Sequence, residues 1–252
     1  MSIVSIKQQM QEMGLHGMLN AFETDLTLAI KQGWGYDEFL SKVLQAEKDF
    51  RDDDFIKKKI KQATFKKGAC LEDFDFASKR SITKIQIHDL MTLNWLESAR
   101  PILFIGETGV GKSFLAEAIG RYACSKRKTV LFKDATEFFL MITEARRLNR
   151  YLTTRKRLAM FDILIIDDFG MRKLSSTEAQ DLKELLEIRA LTKTTIFTSQ
   201  LPLNHWKEVI EDPIIMEAIV DLLEHSSLKF EIKGESYRKT KAKKLDGRLL
   251  VQ

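Results

Sequence analysis

The chain has 252 residues, 44% of them hydrophobic and 31% charged, with a formal net charge of +5. This composition is that of a globular protein larger than one typical domain, with material for a sizeable core. The longest apolar runs, Ile102–Ile105 and Ile163–Ile166, are strand-sized, and the first residues lack the charged-then-apolar pattern of a secretory signal, so no membrane association is expected and the expected location is the cytoplasm.

Two cysteines, Cys70 and Cys124, stand far apart without a CxxC partner, which argues against a metal site and for two reduced, partly buried thiols. From Ile6 to about Ile60 apolar residues recur at three- and four-residue spacing. Met10, Met13, Leu15, Met18, Leu19, Phe22, Leu26 and Ile30 mark a first helix, Gly33-Trp34-Gly35 breaks it, and Phe39, Leu40, Val43, Leu44 and Phe50 mark a second from Tyr36. These predict a small all-α domain over residues 1–64, either simple core packing or a docking module for a partner or DNA. Residues 65–81 lack periodicity and read as a linker.

From residue 82 the pattern changes to short apolar strands alternating with helices: Ile102–Ile105, Thr129–Lys133, Ile163–Asp167, Thr194–Thr198 and Leu228–Ile232. Such alternation predicts an α/β domain, a parallel sheet with helices on both faces, over residues 82–238. A basic tail, residues 239–252, follows.

Directly after the first strand stands Gly106-Glu107-Thr108-Gly109-Val110-Gly111-Lys112-Ser113, then a helix from Phe114 to Ser125. A chain wrapping phosphates with backbone N–H groups needs glycine at the points of curvature and close approach, here positions 106, 109 and 111. Lys112 places an ammonium on the β and γ phosphates, Ser113 offers a hydroxyl to Mg²⁺, and the helix N-terminus beginning with Phe114 favours anions. ATP with Mg²⁺ is the expected ligand. Phe161-Asp162-Ile163-Leu164-Ile165-Ile166-Asp167-Asp168 has the form of a Walker B strand: Asp167 is the expected Mg²⁺ ligand and Asp168 the group that orients or deprotonates the attacking water. Many ATPases carry Glu at the second position, one methylene longer. Ser199 and Gln200, at the end of the Thr194–Thr198 strand, are the expected sensors of the γ phosphate and the water.

Taken in order, Gly106–Ser113, Ile163–Gly170, Thr198-Ser199-Gln200-Leu201-Pro202, Trp206, Asp212-Pro213, Ala218-Ile219-Val220-Asp221 and Lys233-Gly234-Glu235-Ser236-Tyr237-Arg238 resemble IstB, the ATP-binding helper of an insertion-sequence transposase. The similarity extends to Gly14-Leu15-His16-Gly17-Met18 and Leu71-Glu72-Asp73-Phe74-Asp75-Phe76, nearly the whole chain. The resemblance places the chain among AAA+ P-loop NTPases related to DnaC-type helicase loaders. It implies a central sheet of strand order 5-1-4-3-2, ATP bound between adjacent subunits, and ATP-dependent homo-oligomers on duplex DNA that recruit and stimulate a transposase. Arg238 matches the family's sensor 2 arginine, which approaches the γ phosphate. Where the family usually reads Asp-Arg-Leu, this chain has Asp221-Leu222-Leu223. The arginine finger is therefore missing at Leu222, and hydrolysis is expected to be slow unless Arg189 or another arginine substitutes in trans.

Residues 144–157 hold six basic side chains, Arg146, Arg147, Arg150, Arg155, Lys156 and Arg157, against one acid, Glu144. They are the expected backbone contacts to DNA, without base readout. Arg238, Lys239, Lys241, Lys243 and Lys244 form a second cluster. Two alternatives stand beside the transposase helper: a replicative helicase loader of the same fold, and an ATP-gated binding scaffold with vestigial hydrolysis.

Overall fold

A computed structural model describes residues 2–66, 68–71, 74 and 81–234. The chain forms two compact units, Met1–Lys58 and Lys59–Gln252.

The first unit contains α1 (Ile3–Glu12), α2 (His16–Gln32) and most of α3 (Tyr36–Ala63). The single helix expected before Gly33 is thus two. Gly14 takes φ +68, its N–H donates to Gln11 O and that of Leu15 reaches back to Met10 O. This is a Schellman stop, which the helical spacing of the apolar residues conceals. Restarting α2 leaves its first N–H groups without intrahelical acceptors, and Leu15 offers no side-chain cap. Glu47 of α3 supplies one: its Oε2 accepts Gly17 N–H at 2.7 Å and Met18 N–H at 3.0 Å. The approach is close, since a Cβ on Gly17 would stand 2.5 Å from Ala46 O.

In the second unit α4 (Lys84–Met91) precedes β1 (Ile102–Ile105), α5 (Lys112–Ser125), β2 (Val130–Asp134), α6 (Ala135–Arg147), α7 (Tyr151–Met160), β3 (Ile163–Phe169), α8 (Ser176–Arg189), β4 (Thr194–Ser199), α9 (Pro213–Glu224) and β5 (Leu228–Glu231). The sheet is parallel throughout, in the order β2-β3-β4-β1-β5, which read from the other edge is the expected 5-1-4-3-2. Its strands alternate between two apolar layers. Ile102, Phe104, Phe132, Ile163 and Ile165 face Leu115 and Ile119 of α5 and Leu90 of α4. Leu103, Leu131, Leu164, Ile166 and Phe197 face α6, α8 and α9 through Phe138, Leu182 and Ile219. Burial on both faces is why these strands read as continuous hydrophobic runs.

Residues read as a linker contribute to this core: Ala69, Leu71 and Phe74 are buried in the α5 layer, as is Ala63 at the end of α3. The fully buried Glu117 of α5 accepts the N–H groups of Lys66 and Ala69. Cys124 is buried, which raises its thiol to about 11, whereas Cys70 is exposed rather than partly buried; both are free.

Candidate functional site

β1, β4 and β3 are neighbours, and their C-terminal ends bring the sequence motifs together where open α/β sheets bind ligands. β1 delivers the phosphate loop. At its first residue, Gly106, φ is +153 and a Cβ would lie 2.1 Å from Ile232 O, so any side chain would drive the loop off the end of β5. The loop then turns into α5, whose first intrahelical bond is Leu115 N–H to Gly111 O. The N–H groups of Lys112, Ser113 and Phe114 precede that bond and point with the helix dipole toward the loop's concave side, a donor set suited to phosphate.

Lys112 is 4% exposed, and its Nζ donates to Gly106 O at 2.8 Å and Glu107 O at 2.9 Å. Burial pulls its ammonium below the usual range, while Asp168 and Asp167 act in the opposite sense. Glu107 and Thr108 lie exposed on the outer turn, Val110 is buried beneath it, and Phe114 packs near Phe74 with ring centroids 6.1 Å apart.

β3 delivers the carboxylates through a bulge. From Ile166 to Phe169 it advances three residues while β4 advances two, Phe197 to Ser199. The extra residue puts Asp168 at φ +53, in the left-handed region that Asp tolerates better than most residues. Thr198 locks this arrangement. Its Oγ1 donates to Asp167 Oδ1 at 2.6 Å and accepts Asp168 N–H at 2.9 Å. Thr198, not Ser199, therefore touches the Walker B pair. Ser199 Oγ instead donates to Phe169 O at 2.7 Å and accepts Leu201 N–H at 3.0 Å, stitching together the ends of β3 and β4. Gln200 reaches Met171 Sδ at 3.2 Å. Thr198 escaped the sequence reading because a strand-end hydroxyl is common; only the paired bulge reveals its use.

The residues present suit ATP with Mg²⁺. A buried ammonium, first-turn amides, the Ser113 hydroxyl and the Asp167 carboxylate form the set Mg²⁺ and triphosphate share, the phosphate oxygens completing a hard cation's shell. No cluster of three or more metal-ligating side chains occurs among the described residues.

Three of the candidate arginines are paired within the chain. Arg189 is 1% exposed and buried beneath α7, where its guanidinium donates to Leu158 O and Phe161 O, both at 2.8 Å, to Thr195 Oγ1 at 3.0 Å, and to Thr194 O. It caps the carbonyls at the end of α7. Arg146, itself exposed, pairs with Asp181 of α8, whose buried carboxylate requires a counter-charge, and Arg155 pairs with Glu184 of the same helix. Arg147, Arg150, Lys156 and Arg157 are exposed. Leu222 packs against the apolar layer that contains Leu186 and Leu223. Arg238 and the basic tail lie outside the described residues.

Residues 8–245 match the family described as IstB-like ATP binding protein. A putative insertion sequence ATP-binding protein of Sinorhizobium fredii is 32% identical over 236 residues, covering 94% of this chain and 96% of its own. Among solved structures, the replication initiator DnaA bound to AMPPCP and single-stranded DNA superposes with a TM-score of 0.58 at 18% identity, over 73% of this chain and 56% of that one. The DnaC helicase loader gives 0.52 at 19%, over 59% and 87%. At these identities the structural likeness speaks for the fold alone, an AAA+ P-loop domain. With a phosphate loop, a buried lysine and a Walker B pair converging at one sheet edge, and a match running from residue 8 to residue 245, the chain belongs to the IstB-like ATP-binding proteins.

Proposed function

We propose that the protein is an ATPase that uses ATP binding to assemble on duplex DNA, without sequence preference, and to recruit and stimulate a transposase. The observation that carries this reading is the convergence of Lys112, Asp167, Thr198 and Asp168 at adjacent strand ends, in a chain similar over nearly its whole length to insertion sequence ATP-binding proteins. Lys112 neutralises the β and γ phosphate oxygens, and the amides of Gly106–Phe114 hold the phosphates in line. Ser113 and Asp167 would hold Mg²⁺, which when bound offsets the charge developing between the β and γ phosphates. Asp168 orients the attacking water and takes its proton as the γ phosphoryl group passes to that oxygen, leaving ADP and phosphate. Gln200 and Arg238 are assigned to the γ phosphate on the family resemblance.

The arginine finger of a neighbouring subunit is the missing part. Leu222 occupies its place in the sequence, and the burial of Arg189 speaks against the substitute the sequence offered. This favours a second reading in which ATP occupancy switches assembly and hydrolysis is vestigial. A helicase loader rests on the fold alone. Particle size and turnover measured with ATP, ADP or a nonhydrolysable analogue, each with duplex or single-stranded DNA, separate the three, and a pull-down with a transposase encoded beside the gene completes the test. Duplex-dependent assembly with ATP and capture of the transposase is the expected result; preference for single strands, or assembly indifferent to nucleotide, would reject it.

A further inference from the structure

The basic segment 144–157 divides into two populations. Arg146 grips Asp181 in a two-point pair, with Nε to Oδ2 at 2.9 Å and Nη2 to Oδ1. Its guanidinium also lies 3.9 Å above the ring of Tyr151. Tyr151 donates its hydroxyl to Glu184 Oε2 at 3.0 Å, the same oxygen that receives Arg155. Burial, then the Asp181 and Glu184 carboxylates, push the Tyr151 phenol above its usual range, so it stays a donor. Asp181 is 2% exposed and cannot give up its partner without leaving a buried charge. Side-chain exposure separates the groups: 27% for Arg155 and 41% for Arg146 against 77% for Arg147. Helical periodicity agrees, since Tyr151, Arg155 and buried Leu158 recur on one face of α7 while Lys156 and Arg157 fall on the other.

We infer that Arg146, Tyr151 and Arg155 are positioning residues that clamp the α6–α7 hairpin onto α8, and that the hairpin meets duplex DNA phosphates through Arg147, Arg150, Lys156 and Arg157 alone. The second half rests on the DNA reading above; the first does not. The clamp fixes where the four outward cations stand, and α8 anchors it through Asp181 and Glu184.

Salt dependence distinguishes a cation that touches phosphate from one that positions others, because each phosphate contact contributes about 0.9 to the slope of log affinity against log salt. The full chain with ATP is titrated with a mixed-sequence duplex at several salt concentrations. Arg147→Gln and Arg150→Gln should each make the slope shallower by about one contact. Arg155→Glu should weaken binding at least about 10-fold, and adding Glu184→Arg should restore affinity to within about two-fold at the wild-type slope, since the pair is rebuilt with its charges exchanged. A double variant as weak as the single, with a shallower slope, would show that Arg155 touches phosphate and overturn the division. Duplex binding whose slope ignores both Arg147→Gln and Arg150→Gln would overturn the outward assignment. If the chain binds no duplex, the DNA reading fails by itself and amide exchange in α7 judges the clamp: exchange accelerated by Arg155→Glu and slowed again by Glu184→Arg supports it, and exchange indifferent to both overturns it.

Discussion

Thr198 ties the Walker B pair together with one hydroxyl, as donor to the Asp167 carboxylate and acceptor from the Asp168 backbone N–H. Replacing it by valine keeps the shape and strips both bonds inside a buried site, a cost of about 1–3 kcal/mol for each group left unsatisfied. The expected outcome for Thr198→Val is a lower urea midpoint and turnover reduced at least about 10-fold with nucleotide affinity little changed, whereas Thr198→Ser retains both properties. Denaturation curves and steady-state kinetics check it. Glu47 offers a pH test. Burial opposes its ionisation, but the N–H groups of Met18 and Gly17 and the Arg51 guanidinium outweigh it and hold the carboxyl below its usual range. A depressed folded value means the stabilisation is full above the unfolded value of about 4.3 and is lost as pH falls through the folded one. Protection of the Gly17 and Met18 amides, measured against their intrinsic exchange rates, should therefore fall as pH drops below about 4.3, and Glu47→Gln should flatten that dependence. At this scale the phosphate loop was legible because its chemistry is packed into consecutive residues. The fate of Arg189 was legible too, though passed over: it follows Leu182 by seven residues and Leu185 by four, on the buried stripe of α8.

Elements were readable wherever one period ran between clear stops. All five strands appear where the apolar runs place them, β1 with the expected bounds and the others with one or both ends moved by one or two residues. The break between α1 and α2 was not seen because apolar residues keep helical spacing across Gly14, and only the backbone at φ +68 ends the helix. Nothing lies within 4 Å of a Cβ built there, so Gly14→Ala tests backbone conformation without a clash. It should cost about 1–2 kcal/mol, the price of a left-handed alanine. Thermal unfolding followed by helical circular dichroism measures it. By contrast α8 announces its own start: Ser175 and Glu178 form a capping box, reinforced by Arg172 on Glu178.

For the whole molecule, the alternation of strands and helices announced a parallel α/β sheet, but its strand order came from family resemblance, since alternation alone permits several doubly wound orders. Of the intersubunit ATP site proposed above, only the cis half was readable in the sequence motifs. Leu222 makes the other half testable: Leu222→Arg should raise turnover of the DNA-bound assembly at least about 10-fold, a small part of the 10³ to 10⁵ an arginine finger supplies. Its ATP affinity in the unassembled chain should not change. Unaltered turnover in assemblies of normal size would show that this position does not face the neighbouring γ phosphate. The burial of Ala63, Ala69, Leu71 and Phe74 in the α/β core bears on how such a protein can be taken apart. These residues belong to the α5 layer, and Glu117, on the helix that opens at the nucleotide loop, holds the amides of Lys66 and Ala69. The division between the two compact units falls within α3, at Lys58. Exchanging N-terminal modules between relatives at residue 81 would graft a foreign piece of hydrophobic core along with them; the portable unit ends one helix-turn before Ala63.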